Sequence, residues 1–265
     1  MALQSALITV MATAARKAAR GLVRDFGEVE NLQVSRKGPA NFVSAADTKA
    51  EKVLRQELER VRPGYSFLLE EGGAIVGSDP AHRWLIDPLD GTTNFLHGVP
   101  HFSISIALER ERNLVAGLVY DPVKDEMFWA EKGKGAFLND RRLRVAARGD
   151  LGEALVATGI PYRGRPGHEL FHRELQAITD KVAGVRRYGS AALDLAYVAA
   201  GRYDGFWERG LAPWDIAAGM VLVREAGGML GEIEGAPLRV DSPSILAANE
   251  PLFAPLSRWL TEAAV

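Results

Sequence analysis

The stretch Trp84-Leu85-Ile86-Asp87-Pro88-Leu89-Asp90-Gly91-Thr92-Thr93-Asn94-Phe95 constrains this chain more than any other. An apolar, strand-like run delivers two carboxylates to its own end, and a Gly-Thr turn follows at once. Pro88 is expected to end the strand, because it has no N–H for a sheet ladder. Gly91 permits close backbone approach, and Thr92-Thr93-Asn94 can open a helix. Asp87 and Asp90 would then project from one turn as oxygen ligands for Mg²⁺. The N–H groups of Gly91 and Thr92 would face phosphate oxygens at a helix N-terminus. An Asp-rich turn with an N-cap is the plainer alternative. Two carboxylates at this spacing with Gly-Thr behind them weigh against it.

Two more acidic motifs repeat the arrangement. Ser66-Phe67-Leu68-Leu69 is a short apolar run that ends at Glu70-Glu71. A Glu closing a buried strand is costly unless it is paired or bound to a metal, so Glu70 reads as a ligand. Trp214-Asp215-Ile216-Ala217-Ala218-Gly219 runs on to Glu225-Ala226-Gly227-Gly228. Asp215 opens a helix whose core face is Ile216, Met220 and Val223, and a carboxylate at a helix start can both cap and face a metal. The whole set suggests a cage of hard oxygen ligands for divalent cations, built to hold a phosphate. Asp47 and Thr92 form a fainter pair: a Thr hydroxyl bonded to a carboxylate can relay a proton from a water in the site.

Other chemistries fall away. The position two before Asp90 is Pro88, so the nucleophilic Asp of the Asp-x-Asp-Gly-Thr phosphatases is missing. The chain has no cysteine, which excludes disulfides, thiolate metal sites and cysteine-phosphatase chemistry and agrees with a cytoplasmic setting. His82, His97, His101, His168 and His172 lack a persuasive metal-ligand spacing. A net charge of -2 gives no basic excess for direct nucleic-acid binding. Arg186-Arg187 is a small basic cluster that could face a phosphate or a partner. No apolar run reaches the ~20 residues of a membrane span. The basic, acid-free first 24 residues have a transit-peptide flavour. However, Leu3, Leu7, Val10, Met11, Ala14, Ala15 and Ala18 fall at helical spacing, so an amphipathic first helix of the fold is expected.

Along the chain the patterns predict a helix over about 3–26 and an extended piece over 31–36. A loop at Lys37-Gly38-Pro39 and a helix over 45–61 follow. Apolar runs then lead to Glu70 and Asp87, and an antiparallel meander covers His101–Glu109, Leu114–Tyr120 and Glu126–Ala130. Beyond about residue 150 strands alternate with helices: 154–158, 167–182, 185–187, 190–200, 204–207 and 214–226. The expected organisation is an α+β half over 1–148 carrying Glu70 and Asp87–Thr92. An α/β half over 149–265 carries Glu208 and Asp215.

At this point the chain resembles the inositol monophosphatase family, most closely its bacterial SuhB-type branch. Trp84–Leu108 resembles the family signature Asp-Pro-[Ile/Leu]-Asp-Gly-Thr-Thr-Asn-Phe. Trp214–Gly228 resembles a second signature, Trp-Asp-x-x-Ala-Gly followed by Glu-Ala-Gly-Gly. Gly189-Ser190-Ala191-Ala192-Leu193-Asp194-Leu195-Ala196 resembles the bacterial branch in particular. The resemblance implies a layered αβαβα sandwich of the sugar-phosphatase type, usually a homodimer. It implies hydrolysis of myo-inositol monophosphate and related polyol phosphates with two or three Mg²⁺ ions, and inhibition by Li⁺.

By position Glu70, Asp87, Asp90, Asp215 and the Leu89 carbonyl match the metal ligands. Thr92 and Asp47, with Glu70, match the water-activating group. Glu208 matches the acceptor of a substrate hydroxyl. Substrate contacts are expected from Asp90, Gly91, Thr92, Arg186, Ser190, Ala191, Glu208 and Asp215. Two alternatives stay open. One is a same-fold phosphatase for fructose-1,6-bisphosphate, 3′-phosphoadenosine 5′-phosphate or histidinol phosphate; a bisphosphate specialist should carry cations beyond Arg186-Arg187. The other is a transcription-complex partner using Arg187 and a dimer-facing surface.

Overall fold

The computed structural model describes residues 5–28, 34–38 and 41–265. The expected helical residues 3 and 4, the extended residues 31–33 and Pro39 lie outside these. The amphipathic opening segment forms α1 (Ala6–Phe26), capped by Ser5, whose Oγ accepts from the Ile8 N–H at 3.2 Å. Ile8, Met11, Ala15, Ala18 and Leu22 form its buried stripe. An antiparallel pair follows, β1 (Val34–Gly38) and β2 (Asn41–Ser44), so the expected loop at Lys37-Gly38 is partly strand. Next comes α2 (Ala45–Val61), which ends as expected before Arg62-Pro63-Gly64.

The first sheet then assembles. Its elements are β3 (Tyr65–Leu69), β4 (Gly73–Ile75), β5 (Asp79–Asp90), the short helix α3 (Thr92–Leu96), β6 (Ser103–Arg110), β7 (Asn113–Asp121), β8 (Glu126–Glu131), β9 (Gly135–Leu138) and β10 (Arg141–Arg142). Eight of these strands pair in the order β10-β9-β8-β7-β6-β5-β3-β4. All neighbours are antiparallel except β3 and β5.

Pro88 does not end the strand. Asp87 lies opposite Ser105 and Asp90 opposite Ser103, so three steps on β5 meet two on β6. This is a β-bulge, where a proline is tolerated because the ladder is already interrupted.

The remaining chain forms β11 (Leu155–Thr158), α4 (His168–Thr179), β12 (Gly184–Arg186), α5 (Ala191–Ala199), β13 (Gly205–Arg209), α6 (Pro213–Glu225), β14 (Met229–Gly231), β15 (Ser244–Ala248) and α7 (Glu250–Ala264). The second sheet has the order β12-β11-β13-β15-β14; the first three strands are parallel, and β15 is antiparallel to both its neighbours.

The layers follow from which helices are apolar all round. Every residue of α5 is buried, as are Ile216 to Val223 of α6, so both must be covered on two sides. They fill the space between the sheets, where Leu85, Val119 and Phe128 from the first sheet meet Leu193, Ala218 and Met220, and Phe206 and Ile245 from the second. The amphipathic helices α1 and α2 cover the outer face of the first sheet. Helices α4 and α7 cover that of the second. The result is the expected αβαβα sandwich. No described helix is long and apolar enough to cross a membrane.

The middle layer is tight at one point. A Cβ on Gly117 of β7 would lie 2.5 Å from the Ala218 carbonyl oxygen and 2.9 Å from its Cα. Both are backbone atoms of a buried helix and cannot swing aside. Gly117→Ala should therefore destabilise the protein by about 1–3 kcal/mol, the usual cost of overpacking. A urea midpoint within error of the wild type would show that α6 is free to move off the sheet.

Candidate active site

A cleft of about 630 Å³ opens where strand ends from both sheets meet the first turns of three helices. From β5 and the residues around α3 come Asp87, Leu89, Asp90, Gly91 and Thr92. Glu70 comes from the end of β3, Ser190 and Ala191 from the start of α5, and Asp215 from the first turn of α6. The far wall holds Thr158, Gly159 and Glu208 from the ends of β11 and β13. Ligands in open α/β sheets bind at such carboxyl ends of strands.

The carboxylates are fixed by the backbone they stand on. The Leu89 N–H donates to Asp87 Oδ1 at 2.9 Å, closing a local turn inside the bulge. Asp90 Oδ2 accepts from the Ser190 hydroxyl at 2.5 Å and from the Ala192 N–H at 2.8 Å. Asp215 Oδ2 accepts from the Ala212 N–H at 2.8 Å, just ahead of α6. Two carboxylates thus sit on helix N-termini, whose unpaired amides favour negative charge. Thr92 reaches Asp47: its hydroxyl lies 3.0 Å from Asp47 Oδ1 and 3.1 Å from the Leu89 carbonyl oxygen. Asn94 pins the rim, donating to the carbonyls of His101 at 2.8 Å and Tyr188 at 2.6 Å.

Burial and crowding work against these charges. Asp87 is held well above the usual carboxylate range, first by burial and then by the charges of Glu70, Asp90 and Asp215. Asp215 is pushed up to about 8 by burial and by Asp90. Asp90 rises only to about 6, because its bonds from Ser190 and Ala192 oppose burial. Glu208 is pushed up to about 8 by burial, then by Asp215 and Asp90.

Among the described residues, no three acidic or imidazole side chains already converge as a closed metal-ligand set. One oxygen each of Asp87, Asp90 and Asp215 is engaged by an N–H or O–H donor instead. The donor chemistry nonetheless fits a divalent cation. Carboxylates and a main-chain carbonyl are hard oxygen ligands, and a cation would offset the repulsion that raises their proton affinity.

Most of the residues singled out in the sequence line this cleft. Glu70, Asp87, Leu89, Asp90, Gly91, Thr92, Ser190, Ala191, Glu208 and Asp215 all face it. Asp47 lies just behind, fully buried against Thr92. Arg186 does not belong to the lining. It is exposed and donates to the carbonyl of its neighbour Val185, whereas Arg187 lines the cleft. None of the five histidines is in the lining. His82 bonds to Asp79 at 2.9 Å and stacks on Tyr65, and His101 is buried beside Tyr188.

Three further lining residues are not among the site residues that the sequence marks. Arg165 stacks over Tyr162 and donates to the Gly210 carbonyl. Gly159 lies against Glu208. Asp194 is buried with Oδ1 unpaired, held well above the usual range by burial and then by Glu208 and Asp90. A lone Asp inside the apolar run Ala191-Ala192-Leu193-Asp194-Leu195-Ala196 is the available signal for the last of these.

Residues 3–262 match the profile of the inositol monophosphatase family. The chain belongs to that family. It is 58% identical over 247 residues to an inositol-1-monophosphatase of Rhizobium meliloti, covering 93% of each chain. It is 42% identical over 254 residues to the Nus factor SuhB of Pseudomonas aeruginosa, covering 94% of each. Among solved structures, the extragenic suppressor protein suhB of Bartonella henselae superposes with a TM-score of 0.95 at 54% identity, over 97% of this chain and 99% of that one. The family is metal-dependent, in keeping with the acidic cleft.

The raised carboxyls make a sign-definite pH prediction for the metal-free family member. Asp90, Asp215 and Glu208 hold protons in the folded state that the unfolded chain has already released. Their contribution to stability is therefore full only below the ordinary carboxyl range near pH ~4, and it is lost progressively as pH rises from there to about 6 for Asp90 and about 8 for Asp215 and Glu208. In chelator, the melting temperature should fall between about pH 5 and pH 8, and Glu208→Gln should flatten part of that fall. A chelated protein whose melt rises over this range would contradict the shifts.

Proposed function

We propose that this chain is a metal-dependent phosphate monoesterase that hydrolyses myo-inositol monophosphate and related small polyol phosphates. The observation that carries the reading is the meeting, in one cleft, of Glu70, Asp87, Asp90 and Asp215 with a Thr92–Asp47 hydrogen bond. The 58% identity to an inositol-1-monophosphatase over nearly the whole chain supports the same substrate class.

The metal is proposed to be Mg²⁺, two or three ions, held by Glu70, Asp87, the Leu89 carbonyl, Asp90 and Asp215. When bound, it supplies the Lewis-acid charge that phosphoryl transfer needs. The remaining steps belong to the chain. The Thr92 hydroxyl gives its proton to the Asp47 carboxylate as a hydrogen bond. Its oxygen thereby becomes a better acceptor for the proton of an attacking water, which Glu70 helps to orient. The water attacks phosphorus in line, the bond from phosphorus to the polyol oxygen breaks on the opposite side, and the polyol leaves as the free alcohol after its oxygen takes a proton from solvent water. No phosphoenzyme is required, and Pro88 stands where the Asp-x-Asp-Gly-Thr phosphatases carry their nucleophilic Asp. Main-chain N–H groups of Gly91 and Thr92 supply donors for the phosphoryl oxygens, and Ser190 and Ala191 line the same wall, with the Ser190 hydroxyl holding Asp90 in place. Glu208, with Asp90 and Asp215, accepts hydroxyls of the polyol. Arg187 takes the place first expected of Arg186 at the rim.

A second, compatible reading is a surface for a macromolecular partner, either a second copy of the chain or a transcription complex. Val99, Val123 and Tyr188 are large apolar side chains left exposed, and Arg186 and Arg187 precede Tyr188 directly. The ring of Tyr188 lies 5.2 Å from that of His101, close in sequence to Val99. The Pseudomonas aeruginosa relative named a Nus factor supports the transcription branch of this reading.

Phosphate release from inositol monophosphate should stop in excess EDTA and return with added Mg²⁺; full turnover in chelator would refute a metal-dependent mechanism. Thr92→Ala should lower kcat by about 10²–10³-fold with little change in KM, the range expected for losing a proton-transfer group. A loss confined to KM would move Thr92 from chemistry to substrate binding.

A further inference from the structure

Gly159 has no conformational reason to be glycine. Its backbone lies outside the left-handed region that favours this residue. The reason is a contact. The parallel register sets Thr158 of β11 opposite Trp207 of β13, so Gly159 stands beside Glu208 at the carboxyl ends of the two strands. A Cβ on Gly159 would lie 2.0 Å from the carboxyl carbon of Glu208 and 2.1 and 2.2 Å from its two oxygens. The carboxyl group therefore lies directly on the Gly159 Cα.

Nothing else holds it there. Among the described residues, no hydrogen bond or ion pair engages the Glu208 carboxyl. Asp215, Asp90 and Asp194 repel it, and Arg187 and Arg165 attract it from a distance. Its place in the cleft wall depends on the flat surface that Gly159 offers.

We propose that Gly159 is a specificity-positioning residue. Its missing side chain seats the Glu208 carboxyl against the wall, with both oxygens available to neighbouring hydroxyls of a polyol phosphate. The inference rests on the phosphatase reading above and assigns the ligand class at its far wall: esters whose alcohol carries adjacent hydroxyl groups. The three atoms that a methyl group at position 159 would meet first all belong to the far end of one flexible side chain, so Gly159→Ala is expected to fold. The displaced carboxyl swings into the cleft toward Arg165 and Arg187 and takes the space of the polyol.

The test compares wild type, Gly159→Ala, Glu208→Asp and the double variant on inositol monophosphate and on para-nitrophenyl phosphate, which has no hydroxyls to read. Gly159→Ala should raise KM for inositol monophosphate about tenfold, with kcat lowered less than about threefold. The ratio of kcat/KM between the two esters should fall at least about fivefold. In the Glu208→Asp background, where the carboxyl is one methylene shorter, Gly159→Ala should cost less than about twofold in that ratio. A crystal structure of Gly159→Ala should find the carboxyl displaced. Equal losses on both esters, an unchanged ratio, the full loss persisting in the Glu208→Asp background, or a carboxyl still in its original place would each overturn the proposal. A wild-type protein that releases phosphate from neither ester would sink the phosphatase reading itself, and this inference with it.

Discussion

Mutual repulsion among buried and half-buried carboxyl groups is the constraint around which this molecule is organised. Asp87, Asp90 and Asp215 crowd one cleft with Glu70, and burial raises the cost of each charge. Left to themselves, such groups would turn toward water. Each is tied instead to a rigid element. The bulge in β5 ties Asp87 to the Leu89 N–H. The first turn of α5 ties Asp90, and the chain entering α6 ties Asp215. Those two helices are buried on both sides between the sheets, so the anchors cannot drift without opening the core. The close approach of β7 to α6 at Gly117 and of α5 to α6 at Gly219 serves the same end. Packing in the middle layer is what keeps the acidic cleft in shape.

Much of this was legible because it is local. Strands that end in acids, helices with an apolar stripe, and α2 to the residue all follow from short-range patterns. What was not legible depended on distance or on register. Spacing cannot reveal that Thr92 meets Asp47 across 45 positions of chain. Pro88 argued for a strand end, yet β5 absorbs it in a bulge, because the pairing of Asp90 with Ser103 resumes beyond it. Arg186 and Arg187 differ by one step at the end of a strand, and one step reverses the face a side chain takes. The final strand, Ser244-Ile245-Leu246-Ala247-Ala248, carries no comparable signal, because five small or apolar residues after an irregular segment have no clear period. In α7 the Asn249 cap and Leu252, Leu256 and Leu260 at four-residue spacing do signal a helix, against which Pro255 argues.

The cleft has two walls held by different forces. On one, hydrogen bonds from backbone and helix starts fix the groups assigned to chemistry, and each such bond also lowers proton affinity, as the contrast between Asp90 and Asp215 illustrates. On the other, Glu208 rests on Gly159 by contact alone, and the nearby buried Asp194, whose proton affinity burial raises, leaves its Oδ1 without a hydrogen bond. The first wall is costly to alter, since any change leaves a buried charge or amide without a partner. The second can be altered by moving one side chain end. This separation lets a single scaffold keep one phosphate chemistry while its choice of alcohol changes, and it places that choice at the ends of β11 and β13.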